Sequence, residues 1–357
     1  MNLTYVEQLR NEKEWETYVH SSDAGSFYHT LKWKKVIERS FPYSPLYLVI
    51  KEEDGRILGV SPGFIKKSFR TAIYDSTPHS DYGGPIIDPP YVPQASRELL
   101  AFLNKNSPVK GLTYAKFRIK DKSIIDSFKF QMGQTESEMG VMEIDLSKTP
   151  TQFLWNNIFS SNRRKKFRQM ERRGFQARIA STKSDLRIFY DLYSNNMMHI
   201  GANPHPFSFM ENIWDLLYPS HVRIWILEKE RPLAAKLIFR YEHKSFSAYV
   251  GIDRDRNLVN TRLWEYLTWS EIKAAEEEGV RYISLGATPS DSKNKYFSLK
   301  LSMGCVFHPQ AMIWSPLNSS GRVLAQTRFI SASLWRHVRP SLPSRITRIL
   351  ESKLGRF

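Results

Sequence analysis

The alternation of apolar and polar positions is most legible between residues 245 and 307. Phe246, Ala248, Val250 and Ile252 alternate with small or polar neighbours, the period-two pattern of a half-buried strand. The charged turn DRDRN breaks that pattern. From Asn260 or Thr261, either of which can cap, Leu263, Tyr266, Leu267, Ser270 and Ala274 recur at the three-and-four spacing of one helix face, and Gly279 stops the helix. Residues 281–286 (RYISLG) form a short β-rich run. A strand, a helix and a second strand in this order make a crossover with parallel strands, and ligands bind outside the carboxyl ends of such strands. The remainder, to Phe307, reads as a loop and a basic hairpin.

The same periodicities organise the rest of the chain. Residues 1–22 read as a short strand and a helix with Trp15 and Val19 on one face, and Leu31, Val36 and Ile37 form the packing face of a helix that Pro42 ends. Residues 46–50 and 57–64 flank an Asp54-Gly55 turn, and residues 222–227 and 233–239 flank EKERP in the same arrangement. Each hairpin follows an aromatic-rich helical stretch, so the chain reads as two copies of one unit. A Gly- and Pro-rich loop, IYDSTPHSDYGGPIIDPPYVP, separates the first hairpin from a helix over 95–103, followed by strands LTYAKFRIK and VMEIDL. The expected units are 1–148 and 149–316, with a basic helical extension over 317–357.

Charge sharpens this picture because it is local. Of the formal net charge of +16, residues 162–178 and 317–357 each contribute eight Lys or Arg against one Glu, leaving the remainder close to neutral. Concentrated positive charge implies an anionic partner, nucleic acid, a diphosphate or lipid headgroups; the plainer alternative is solvated helix faces. Arg163, Arg164, Lys165, Lys166 and Arg168 read as a helix charged almost all round, suited to tracking a polyanion such as tRNA. In the extension, Val323, Ile330, Leu334 and Val338 oppose Arg328, Arg336 and Arg339. A basic amphipathic helix of this kind either covers a domain or lies on an anionic membrane.

One cysteine, Cys305, excludes an intramolecular disulfide and a multi-thiolate zinc site, and fits a reducing compartment. His199 and His205 lack the spacing of a helical metal pair, so no metal is expected. No run approaches the roughly 20 apolar residues of a spanning helix and the N-terminus carries no signal pattern, so the expected location is cytoplasmic or peripheral at the inner membrane face. Walker loop, dinucleotide fingerprint, G-x-S-x-G elbow and zinc spacing are all missing from the sequence.

The segment LGATPSDSKNKYFSLKLSMG resembles FemAB and FemX-type peptidyltransferases, in which a leucine-glycine strand end precedes a loop and a lysine; Leu285, Gly286 and Lys300 take the matching places. Trp33, Lys35 and Val36 match the family's W-x-K-V, and SDYGGP resembles the corresponding family loop, which raises Asp81 and Tyr82. The resemblance implies an α/β fold of two acetyltransferase-like (GNAT) domains in tandem, with mixed sheets flanked by helices. It also implies transfer of an amino acid from aminoacyl-tRNA to an amine of a cell-envelope precursor, with no bound cofactor. By the same resemblance Lys300 meets the oxyanion or the donor's phosphate, while Lys35, Asp81, Tyr82, His205 and Tyr249 contact substrate. His205 stands where the family has a diphosphate-binding arginine, and Lys120 where it often has an acid. Coenzyme A users need a glycine-rich pyrophosphate turn after the central strand. Here that turn is DRDRNLVN, so acetyl-CoA is the less favoured donor. The alternatives are an acetyl-CoA-dependent N-acetyltransferase and a non-catalytic basic scaffold on nucleic acid or membrane.

Overall fold

The structure, a computed structural model, describes residues 4–68, 71–132, 135–254, 262–291 and 293–323. The expected basic helices beyond residue 323, and the part of the charged turn over 255–261, lie outside the described residues. The chain divides into two compact units, one of residues 1–137 with 310–357 and one of residues 138–309. The first is therefore discontinuous, where the sequence pattern sets boundaries at 148 and 316.

In the first unit the elements are β1 (Thr4–Gln8), α1 (Glu12–Ser21), α2 (Leu31–Ser40), β2 (Ser44–Pro45), β3 (Leu48–Glu52), β4 (Ile57–Ser61), β5 (Phe64–Ser68) and β6 (Thr71–Asp75). After these come β7 (Ile86–Ile87), α3 (Val92–Lys110), β8 (Leu112–Ile119) and α4 (Lys122–Met132). Strands β1, β3, β4 and β7 form one antiparallel sheet. Asp54-Gly55 makes the turn between β3 and β4, with Gly55 at φ 89°, a conformation glycine adopts without a Cβ penalty. Strand β6 lies parallel to β8 and antiparallel to β5. The buried faces of α3 (Ala95, Leu99, Leu103) and β8 (Ala115, Phe117, Ile119) meet in one apolar core.

In the second unit the elements are β9 (Thr135–Asp145), α5 (Thr151–Phe153), α6 (Ser161–Arg172), β10 (Gln176–Ile179), α7 (Lys183–His199), α8 (Phe207–Leu217), β11 (Val222–Glu228), β12 (Pro232–Tyr241) and β13 (Lys244–Ile252). Then follow α9 (Leu263–Glu277), β14 (Tyr282–Pro289), the short α10 (Lys295–Leu301) and β15 (Val306–Pro316), which ends in the first unit. Strands β10 to β13 run antiparallel in sequence order, β14 is parallel to β13, and β9 is antiparallel to β14. The crossover read from the sequence is therefore present, with α9 joining β13 to β14. Helix α7 packs hard on β13 because residue 251 has no side chain: a Cβ there would stand 2.4 Å from the Tyr193 nitrogen. The buried core on the other side joins Ile238 of β12, Leu267 and Ile272 of α9 and Ile283 of β14. Deep in this unit Lys236 Nζ pairs with Glu271 Oε2 at 2.5 Å.

Two local readings differ from the structure. The residues after the 286–289 strand end form α10 rather than the first arm of a hairpin, because Asn294 caps the turn, its Oδ1 accepting from the Tyr296 N–H at 2.9 Å. Helix α6 is amphipathic rather than charged all round, with Arg163, Phe167 and Met170 turned inward.

Candidate active site

The parallel strands β13 and β14 are paired only over Lys244 to Phe246 and Tyr282 to Ser284. Beyond that both continue, β13 to Ile252 and β14 to Pro289, without pairing to each other. Both strands are irregular there: β13 bulges at Ala248, between the Leu237–Tyr249 and Ile238–Ser247 pairs, and in β14 the register with β9 shifts between Ser284 and Ala287 with Gly286 at φ 79°. A bulge re-aims a strand, and only glycine takes this conformation cheaply. The gap is a cleft of about 700 Å³. Val250 and Ile252 line it from β13, Ala287, Thr288 and Pro289 from β14, Trp264 and Glu265 from α9, and Lys300 from α10. The cleft opens at the carboxyl ends of two parallel strands, the position expected for ligand binding.

Lys300 is held at the edge of β14. Its ammonium donates to Thr288 Oγ1 at 2.8 Å, to the Gly286 carbonyl at 3.2 Å and, most weakly, to the Ala287 carbonyl at 3.4 Å. An incoming carbonyl oxygen could exchange with the longest of these at little cost. The residues that add charge and polarity beside it were not singled out in the sequence. Glu265 is 8% exposed and accepts from Arg262 Nη1 at 2.5 Å. Asp253 pairs with Arg231, and Arg254 Nε donates to Asn196 Oδ1 at 2.9 Å. Asn196 in turn donates to the Val250 carbonyl at 3.3 Å, tying α7 to β13. The cleft thus combines apolar walls with both signs of charge.

The other sequence-chosen residues are dispersed. Tyr249 is one residue from cleft-lining Val250 and packs in a ring cluster with Tyr193, His205 and Phe209 at centroid distances of 5.6 to 6.0 Å. The structure therefore brings His205 and Tyr249 together, but neither lines the cleft. Burial lowers the His205 pKa below its ordinary value, so the imidazole is neutral at pH 7 and supplies no positive charge to a diphosphate. In the first unit, Lys35 is exposed on α2, Asp81 is half-buried, and Tyr82 is buried against Tyr28 with the Lys120 ammonium 5.7 Å from its ring centre.

The basic segment divides into an inner and an outer set. Arg163 is buried and donates through Nη1 and Nη2 to the carbonyl and hydroxyl of Ser302, the latter at 2.6 Å. Arg164 donates to the Trp155, Asn156 and Phe159 carbonyls at 2.9, 3.2 and 2.7 Å, satisfying the end of the preceding turn. Of the five chosen, Lys165, Lys166 and Arg168 are exposed. Cys305 is not a nucleophile: burial pushes its thiol up to about 12 against the opposing pull of Lys300 and Lys236. Among the described residues no group of three His, Cys, Asp or Glu could hold a metal ion, and no helix is long and apolar enough to cross a membrane.

Comparison with known proteins places this architecture. Residues 160–296, which contain the splayed strands and most of the cleft, match the acetyltransferase (GNAT) domain family. The second unit thus carries a segment of the GNAT domain family. Over the longer span the fold matches the crystal structure of FemX, with a TM-score of 0.66 at 14% identity, covering 85% of this chain and 96% of that one. It also matches a tandem GNAT protein from the clavulanic acid biosynthesis pathway (TM-score 0.59, 10% identity, 88% and 99% covered). A third match is the C-terminal domain of a putative lysylphosphatidylglycerol synthetase from Agrobacterium fabrum (0.56, 12%, 91% and 96%). No curated protein matches the chain by sequence. The fold is the FemX-like tandem GNAT fold, as the sequence resemblance implies.

Proposed function

We propose that the cleft of the second unit transfers an aminoacyl group from an activated ester to a primary amine, with Lys300 stabilising the oxyanion. The carrying observation is the placement of the Lys300 ammonium beside Thr288, at the strand ends where β13 and β14 part. As the amine attacks, the carbonyl oxygen gains negative charge, and a fixed ammonium there stabilises the transition state more than the ground state. The Leu263 and Trp264 walls exclude water, which strengthens that interaction.

An amine-bearing acyl group is favoured over acetyl by the carboxylates. Glu265 and Asp253 are each paired with an arginine, but a carboxylate accepts further hydrogen bonds, which the α-ammonium of an aminoacyl ester supplies and an acetyl group does not. Similarity to FemX and to a lysylphosphatidylglycerol synthetase supports the same reading, and the exposed Lys165, Lys166 and Arg168 suit tRNA as the carrier. The acceptor is then an amine of a cell-envelope precursor.

The test incubates the purified protein with a labelled pool of aminoacyl-tRNA, or with acetyl-CoA, and a panel of envelope amine precursors, reading products by mass spectrometry. Transfer from charged tRNA is expected, and Lys300→Ala should lower it tenfold or more, since an oxyanion donor contributes about 3 kcal/mol. Transfer from acetyl-CoA alone would replace this reading with N-acetylation. Salt-sensitive tRNA binding without transfer from either donor would leave only a basic scaffold.

A further inference from the structure

We infer that Arg163, on α6, is a positioning residue for this site, holding α10 and with it Lys300 through Ser302. The inference rests on reading the cleft as the site of acyl transfer. Three of the seven residues of α10, Tyr296, Leu299 and Lys300, line the cleft, yet none of the seven is buried. Packing fixes this helix chiefly through the partly buried Phe297, against Phe307 and the core. An isolated helix this short is not stable on its own, so its ends must be held.

Its C-terminal end is held by Arg163. Ser302 is the C-terminal cap, and both its carbonyl and its hydroxyl accept from the guanidinium. The same hydroxyl donates to the Leu299 carbonyl at 2.7 Å, so one buried cation reaches into the last turn through a continuous chain of hydrogen bonds. A cation at a helix C-terminus also complements the dipole and the unsatisfied carbonyls. Arg163 itself is rigidly placed: it is 5% exposed, its N–H donates to Ser160 Oγ at 3.2 Å, and its guanidinium carbon lies 5.2 Å from the Phe159 ring centre. Its Nε is buried without a hydrogen-bond partner among the described residues. Both of its guanidinium hydrogen bonds among the described residues run to Ser302, so the desolvation of this cation is offset at the end of α10, together with the nearby Glu265 charge. Lys300, two residues earlier, is gripped on its other side by β14, and the two attachments together fix the ammonium in the cleft.

The test needs no substrate. Trace reductive methylation with labelled formaldehyde, resolved lysine by lysine by mass spectrometry, reports how readily each ammonium leaves its partners. Arg163→Gln is expected to raise labelling of Lys300 at least fivefold relative to exposed Lys165, while fully buried Lys236 stays protected. An unchanged Lys300 ratio would overturn the inference. So would Lys300 and Lys236 rising together, which would make Arg163 a general support of the core. Should Arg163→Gln not fold, Ser302→Ala deletes only the hydroxyl link and is expected to raise Lys300 labelling at least twofold; no change overturns the inference equally. In the transfer assay Arg163→Gln should lower kcat about tenfold with KM for donor little changed, and should add nothing to Lys300→Ala. A further tenfold loss on top of Lys300→Ala would count against positioning through Lys300. Normal transfer by Lys300→Ala would remove Lys300 from the transfer chemistry, and the labelling would still decide whether Arg163 holds the lysine.

Discussion

Breaking the Lys236–Glu271 pair should unfold the second unit far more readily than removing it altogether. Lys236 stands on β12 and Glu271 on α9, with side chains 1% and 0% exposed and Nζ 2.5 Å from Oε2. Ser245 Oγ donates to the other carboxylate oxygen at 3.0 Å, and Lys236 Nζ lies 3.3 Å from Thr268 Oγ1. Glu271→Met or Lys236→Met leaves one charge buried without its counterion, a loss of about 3–5 kcal/mol. Lys236→Met/Glu271→Met loses the attraction together with both desolvation penalties. What remains is the Ser245 hydroxyl without its acceptor, about 1–3 kcal/mol. The double variant should therefore be more stable than either single, with a coupling of about 4 kcal/mol or more. Urea unfolding followed by hydrogen exchange of the α9 peptide reads this for the second unit alone. Single variants that each cost under about 1 kcal/mol, or a double variant equal to their sum, would refute the reasoning.

Three further outcomes follow from the second unit. Asp185 closes the capping box of α7; burial alone would raise its pKa, but the Arg178 pair, the Ser181 and Thr182 N–H groups and the Thr182 hydroxyl hold it at about 2. Its contribution is therefore present above the unfolded value near 4 and lost as pH falls toward 2, so Asp185→Asn should cost about 1 kcal/mol at pH 7 and nothing near pH 2 in thermal unfolding. Gly251→Ala should destabilise by about 1–3 kcal/mol in a denaturant titration, because the new Cβ meets the Tyr193 nitrogen at 2.4 Å and the Leu192 carbonyl carbon at 2.5 Å. Glu265→Gln should raise KM for the aminoacyl donor about tenfold, the worth of one hydrogen bond to a charged group, and equal KM in steady-state transfer would remove Glu265 from donor binding.

The crossover was readable from residues alone because its periods are clean: alternation at Phe246 and Val250, helical spacing from Leu263 to Ala274, and Gly279 closing the helix. Lys300 was found by its spacing from Leu285-Gly286, a resemblance rather than a pattern. What the chain could not announce was the parting of β13 from β14, which goes with a bulge in each strand, at Ala248 and at Gly286 with its positive φ, a state no side-chain pattern encodes. With the gap unseen, Trp264 and Glu265 read as ordinary positions in the first turn of a helix. Helix α10 was missed because it is only seven residues long and none of them is fully buried, too short a stretch for a helical period to show. His205 was chosen by place in a loop, and its neutral imidazole among aromatic rings shows that place alone does not supply charge.

The basic segment shows how one helix can serve two ends. By composition its arginines and lysines are interchangeable, but α6 sorts them by angle. Arg163 shares the inner face with Phe167 and Met170, where a flat, always-charged guanidinium can bridge a carbonyl and a hydroxyl at once. Lys165, Lys166 and Arg168 project outward, where flexible, hydrated cations suit a phosphate chain. The same twelve residues thus present exposed charge on one side and, on the other, an arginine bound to Ser302 at the end of α10. A helix charged all round could do the first but would have no inward arginine to do the second.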